Sequence, residues 1–323
     1  MAIIEHKPTW DIIDSSKMNT YLDCPRQFFY RYILGWSEDN AKHDLIFGEA
    51  WHRAMETLLL YGHSKEAIDL AFIKFLEYYR EHFDEMSDDL YTPKAPYNAY
   101  EALKVYSKHW ERADKEFTVL HTEISGQVAV TKNRTITFRM DALCQHNDSK
   151  KYFFLEHKTT KRMGRQWTDQ WALAIQVGTY NYALSTMFGP DFTNGGFING
   201  MGFTKAKLEP IRLHVKRSYA ALNAWHYTMF AWMERLEDDM RQFDMASDSD
   251  QILECFPMNP GACTKYYGCP YHDFCTSWAN PLQKCEAPPY GFKEEHWNPM
   301  DRETKAAFSP DGKNIIDAAL KED

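Results

Sequence analysis

Four bulky residues, Tyr152-Phe153-Phe154-Leu155, run without a turn signal into Glu156-His157-Lys158. That is how a strand buried on both faces reads when it delivers charge at its end. Alternate strand residues share a face, so Glu156 and Lys158 project together while His157 points the other way and leaves its carbonyl nearby. A second strand-like run, residues 134–145, lies just upstream, and His146-Asn147-Asp148-Ser149-Lys150 has the composition of a hairpin connection. If the two runs pair, Asp141 and Glu156 meet beside Lys158. Two carboxylates and one cation around a single point suit a hard divalent ion, Mg²⁺ or Mn²⁺, with the lysine next to the water or phosphate it activates. The plainer reading of the same residues is a strand with a solvated, salt-bridged end.

Around this strand the periodicity predicts helices over residues 47–58, 64–83 and 98–117, the last two separated by Pro93 and Pro96. Strands are expected at 122–131 and 134–145 and through Glu156, then a helix over 166–187, strands at 195–204 and 208–215, and a long helix over 218–245. Glu123, at the start of the first expected strand, could reach the site but is read as structural or as a distant supporting group and is left out of the ligand set. The 323 residues are 44% hydrophobic and 15% aromatic, enough to build a core, and no low-complexity tract interrupts them. No stretch reaches the apolar length that spans a bilayer, and the first ten residues lack a signal-peptide core, so a cytoplasmic protein with no membrane partner is expected.

A net charge of −9 argues against a protein that coats nucleic acid indiscriminately. Positive potential is nevertheless concentrated just after the charged strand end, at Lys158, Lys161, Arg162 and Arg165, readable as phosphate contacts or as a solvated loop. Seven cysteines in a reducing compartment point to metal rather than disulfides. Cys263, Cys269 and Cys275 are evenly spaced among Gly, Pro and aromatic residues, and tetrahedral thiolate sites accept Zn²⁺ or an iron–sulfur cluster. Three ligands leave one missing.

Asp141 followed by Glu156-x-Lys158 resembles the catalytic pattern of the PD-(D/E)XK nuclease superfamily, with Phe138 standing where many members carry glycine. Cys24-Pro25-Arg26-x-Phe28, Gly48-x-x-x-His52, Gln176-x-x-x-Tyr180 and the three late cysteines resemble, in order, segments of its RecB/AddB/Cas4-like iron–sulfur exonucleases. The resemblance implies that Asp141, Glu156 and Lys158 are catalytic, and that His52, Asp141, Glu156 and the carbonyl of His157 hold the divalent ion. It implies that Gln176 and Tyr180 orient DNA, and that Cys24 completes a [4Fe-4S] site with Cys263, Cys269 and Cys275. Structural Zn²⁺ stays the alternative.

The expected fold is an α/β protein with a central mixed sheet flanked by helices, a restriction-endonuclease-like core. The domain scheme is a helical N-terminal region (1–118), the nuclease core (119–245), a cysteine-rich segment (246–285) and a tail (286–323) with a short helix near 314–320. The expected activity is metal-dependent hydrolysis of DNA, on single strands or free ends, in recombination, repair or phage DNA metabolism, with a recombination or helicase protein as partner. The rival expectations are a non-catalytic DNA-binding module that retains the fold and a zinc-stabilised scaffold.

Overall fold

In the computed structural model, which describes residues 4–40, 42–265 and 268–300 and the backbone of 305–306, the elements follow in order. They are β1 (Ile13–Asp14), α1 (Ser15–Asp23), α2 (Pro25–Phe28), β2 (Trp36–Glu38), α3 (His43–Tyr61), α4 (Lys65–Tyr79), α5 (Pro96–Asp114), β3 (Phe117–Ala129), β4 (Thr135–His146) and β5 (Tyr152–Thr160). There follow α6 (Arg165–Asp169), α7 (Ile175–Phe188), β6 (Thr193–Phe203), β7 (Leu208–Val215), α8 (Tyr219–Phe243), α9 (His272–Ser277) and β8 (Phe292–Glu294). The helix expected near residues 314–320 lies outside the described residues. The chain forms two compact units: Met1–Asn40, Gln127–Phe138 and Ala220–Arg302 make the first, and Ala41–Gly126, Arg139–Tyr219 and Glu303–Asp323 the second.

The second unit carries the mixed sheet, in the order β7-β6-β5-β4-β3. β4 and β5 form the expected antiparallel hairpin, pairing Gln145 with Tyr152 through Ala142 with Leu155. β5 and β6 are parallel, joined through α6 and α7, and β6 returns antiparallel into β7. Helices α3, α4 and α5 bury one stripe each: Phe47, Trp51, Ala54, Met55 and Leu58 meet Ala71, Phe75 and Tyr79, then Ala99, Leu103 and Tyr106. These recur three or four residues apart, the period of a helix face, and each large side chain contributes about 1.5–3 kcal/mol of burial. Ser64 caps α4 by accepting from the Ala67 N–H at 3.2 Å, and Gly62, at φ +82°, ends α3.

Two of the differences from expectation bear on the site. β3 starts at Phe117 rather than at residue 122, because Phe117 and Val119 pack on the cluster of Ala142, Cys144, Phe153 and Leu155. The helix expected over 166–187 is broken: Ala174 is extended, with ψ 137°, and α7 restarts after it. The carbonyl of Ala174 accepts from Arg217 Nη2 at 2.9 Å, so the interruption leaves it satisfied.

In the first unit Asp14 caps α1, accepting from the Lys17 N–H at 2.7 Å, and Cys24 sits extended between α1 and α2, where Pro25 opens the new helix. A π-helical turn, Phe29–Ile33, follows. Its rings pack on α8 and the late segment: Phe29 on Phe243 and Phe256, Tyr30 on Trp36, Tyr271 and Phe274. Tyr21 donates to Asp239 Oδ2 at 2.6 Å, and Arg26 donates through Nε and Nη2 to the carbonyls of Phe256 and Leu253, both at 2.9 Å.

Candidate active site

The β4–β5 ladder ends at Ala142 and Leu155. One residue further a side chain takes over, and Asp141 Oδ2 accepts from the His157 N–H at 2.5 Å. The other oxygen of Asp141 lies 3.0 Å from His52 Nδ1, delivered by α3. Glu156 Oε1 accepts from Lys158 Nζ at 2.5 Å and from Gln176 Nε2 at 2.9 Å. Gln176 also donates to the Tyr180 hydroxyl at 2.8 Å, and that hydroxyl donates to the Arg139 carbonyl. Glu156 Oε2 is buried without a protein partner among the described residues.

Asp141, Glu156, Lys158, His52, Gln176 and Tyr180 thus come together at one end of the strand pair. The restart of α7 at Ile175 places Gln176 in its first turn, against Glu156. Tyr180 is only 3% exposed and its hydroxyl is engaged inside, so its polar tip serves the protein's own backbone. The ring of His157 points away, buried, with neither nitrogen partnered among the described residues.

Glu123 belongs to this group as well. One ligand atom each from His52, Glu123 and Asp141 lies within 4.8 Å of the other two, a spacing that admits a metal ion. Glu123 Oε2 is 3.1 Å from Arg139 Nε, and its backbone is left-handed at φ +50° inside β3, a conformation that costs a non-glycine residue about 1–2 kcal/mol. Sequence reasoning set this residue aside because it placed the strand start five residues late. With β3 beginning at Phe117, Glu123 is well inside the strand rather than at its frayed end.

Burial would raise the carboxyl of Asp141, but the charge and hydrogen bond of His52 outweigh it and hold the group well below the usual carboxylate range. Burial lowers and Asp141 raises His52, with a net rise. Glu156 is pushed up by burial and by the charge of Asp141, against the pull of Lys158. Glu123 is pushed up to about 7 by burial and the same charge. Lys158, despite burial, is held protonated by Glu156. Carboxylates crowded until some retain protons are the arrangement that a divalent cation relieves.

The basic cluster is exposed but partly engaged. Lys161 reaches Asp44 at 3.2 Å, an aspartate that also binds the buried Lys94 at 3.1 Å, and Arg165 pairs with Asp169 at 3.1 Å. Trp171 lies beside Lys158, whose Nζ is 5.8 Å from the ring centroid. Trp167 seats its ring on Gly200, where a Cβ would clash with it.

In the first unit Cys24, Cys263, Cys269 and Cys275 lie near enough to act on one another. Burial pushes the Cys275 thiol up to about 11, and the charges of Cys24, Cys269 and Cys263 add to it while Arg26 opposes. The Asn259 N–H donates to Cys24 Sγ at 3.3 Å, and the Cys269 N–H to the Cys263 carbonyl at 2.9 Å. Cys285 gives its S–H to the Leu282 carbonyl at 3.2 Å, and Cys255 is buried beside Asp239.

The model of the PD-(D/E)XK nuclease superfamily matches residues 15–276, and the chain belongs to that superfamily. Membership suggests a metal-dependent nuclease with a nucleic-acid substrate, and His52, Glu123 and Asp141 supply a candidate metal site. A solved structure titled "Crystal structure of SSO0001" is similar at 14% identity, covering 71% of this chain and 78% of that one, with a TM-score of 0.32. No curated protein matches the sequence. Among the described residues no helix is long and apolar enough to cross a membrane.

Proposed function

We propose that this chain is a divalent-metal-dependent deoxyribonuclease of the RecB/AddB/Cas4-like iron–sulfur kind, acting on single strands or DNA ends. The observation that carries the reading is the convergence of Asp141, Glu156, Lys158 and His52 on one strand end. Asp141, Glu156, His52 and the His157 carbonyl, joined by Glu123, would hold Mg²⁺ or Mn²⁺. A divalent ion there supplies Lewis-acid polarisation of the scissile phosphate and acidification of the attacking water.

The chain's own residues do the rest. Lys158, kept protonated by Glu156, offers charge to the phosphate as negative charge builds on it, and orients the water. Gln176 fixes the Glu156 carboxylate, and Tyr180 fixes Gln176. Lys161, Arg162 and Arg165 meet the backbone phosphates of the strand, Lys161 and Arg165 exchanging their pairs with Asp44 and Asp169 for them. A recombination or helicase protein is the partner that such a nuclease would serve.

Cys24, Cys263, Cys269 and Cys275, near enough to act on one another, are read as ligands of a [4Fe-4S] cluster, with structural zinc as the alternative. Bound there, the cluster would staple Cys24 to the late segment.

The test is end-labelled single- and double-stranded DNA incubated with Mn²⁺, Mg²⁺ or EDTA, beside Glu156→Ala. Metal-dependent laddering that the variant loses is expected. Binding without cleavage under every metal condition would replace this reading with a non-catalytic DNA-binding module.

A further inference from the structure

Two buried donors in the first unit, Arg26 Nη1 and the Tyr30 hydroxyl, have no partner at full hydrogen-bond geometry among the described residues, and both lie close to the Cys275 sulfur. Arg26 is 3% exposed and Tyr30 is 0% exposed. Arg26 is fixed by its bonds to the Phe256 and Leu253 carbonyls, which leave Nη1 unpartnered among the described residues. Tyr30 stacks on Trp36 and Tyr271, centroids 5.8 and 5.2 Å away, and its hydroxyl has no partner at full hydrogen-bond geometry among the described residues. A buried donor left unmet is destabilising, the more so when charged. Two in one place, beside the same sulfur, suit an acceptor stronger than a neutral thiol.

Their common neighbour is the Cys275 sulfur. The Arg26 guanidinium and the Tyr30 hydroxyl both bear on it, as do Cys24, Cys263 and Cys269. Two of the other three sulfurs have donors of their own: the Asn259 N–H on Cys24 and the Tyr271 N–H on Cys269. Neutral thiols gain little from such company. Four thiolates around an iron–sulfur centre carry net negative charge, and hydrogen bonds and charge at the sulfurs set its reduction potential.

We propose that Arg26 and Tyr30 form an anion cradle for the cluster, the guanidinium offsetting its charge and the hydroxyl donating to sulfur, and that together they hold its reduction potential up. The proposal rests on the four-cysteine cluster reading above. Arg26 and Tyr30 are positioning residues of the metal centre and take no part in phosphodiester cleavage.

The experiment is an anaerobic redox titration of the full chain followed by electron paramagnetic resonance, with iron and sulfide determined on each sample. Removing a cation or a donor makes reduction harder. In Arg26→Gln the reduced-to-oxidised ratio at a fixed potential is expected to fall about tenfold, about 59 mV for a one-electron couple. Tyr30→Phe, which removes one oxygen and keeps the stack, shifts the same way by less, and Arg26→Lys recovers most of the loss. Wild-type potentials in Arg26→Gln and Tyr30→Phe at full cluster content overturn the cradle and leave the cluster standing. If Arg26→Gln does not fold, an unshifted Tyr30→Phe overturns it alone. Wild-type protein without iron and sulfide removes the cluster reading, and the cradle with it.

Discussion

Asp141 and His157 are joined across the strand pair by a side chain: the carboxylate accepts the His157 N–H at 2.5 Å where the backbone ladder has stopped. The residue read as a metal ligand therefore also closes the hairpin. Asp141→Asn keeps an acceptor for that N–H, whereas Asp141→Ala leaves it buried and unmet at a cost of about 1–3 kcal/mol. Both variants should lose Mn²⁺ binding by calorimetry, and only the alanine variant should lose that stability in a denaturant melt. Equal stability of the two would sink the structural half of this assignment.

Gln176 holds Glu156 from the first turn of α7. Partners of this kind typically govern metal affinity or activity by about 10–100-fold. Gln176→Ala should weaken Mn²⁺ binding by about that factor, and Tyr180→Phe, which keeps the ring against Phe154, should weaken it less. Unchanged Mn²⁺ affinity in Gln176→Ala would show that the amide only fills space.

How much of this site could be read beforehand varied with its physical origin. The Glu156 hairpin and the projection of Lys158 beside Glu156 followed from a two-residue period that sequence displays directly. The break at Ala174 has no local signature, because the group that satisfies its carbonyl is Arg217, distant in sequence. Glu123 was hidden differently: its place depends on where β3 begins, and that is decided by Phe117 and Val119 packing on Phe153 and Leu155. Lys161 reads as a free cation in sequence, and only folding brings Asp44 to it.

Glu123 gives the apoprotein a characteristic pH response. Its carboxyl rises from the ordinary 4.5 to about 7 on folding, so the folded state holds more protons between those values and stability falls as pH rises from about 4.5 to about 7. Glu123→Gln should flatten that part of the melting-temperature profile, and Mn²⁺ should stabilise the wild type more at pH 8 than at pH 6, because binding must displace fewer protons there. Parallel profiles for variant and wild type would refute this.

Asp114 should behave in the opposite sense. Burial raises its carboxyl, but the hydrogen bond from His63, at 3.0 Å, and the charge of Arg212, at 2.7 Å, prevail and lower it below 3.8. Its stabilisation is present above about 3.8 and lost as pH falls through the lower, folded value. Asp114→Ala should cost roughly 3–5 kcal/mol at pH 7, with the gap to wild type narrowing below pH 3.8. A gap constant down to pH 2 would count against the ion pair as its source.

Gly200 leaves no room for a side chain beneath Trp167. Gly200→Ala should cost roughly 1–3 kcal/mol as the ring is displaced, with a tryptophan emission shift that Trp167→Phe abolishes. A neutral substitution would mean that α6 yields freely.

The first unit is assembled from three separated stretches of chain, Met1–Asn40, Gln127–Phe138 and Ala220–Arg302. On the ribosome Cys24 emerges well before its companions Cys263, Cys269 and Cys275, separated from them by on the order of tens of seconds at ordinary elongation rates. The opening helices and the aromatic turn after them have no core to join until residues 220–302 have been translated. A metal centre built on these four cysteines can therefore be loaded only after Cys275 has emerged, and a nascent chain arrested before Cys263 lacks three of the four.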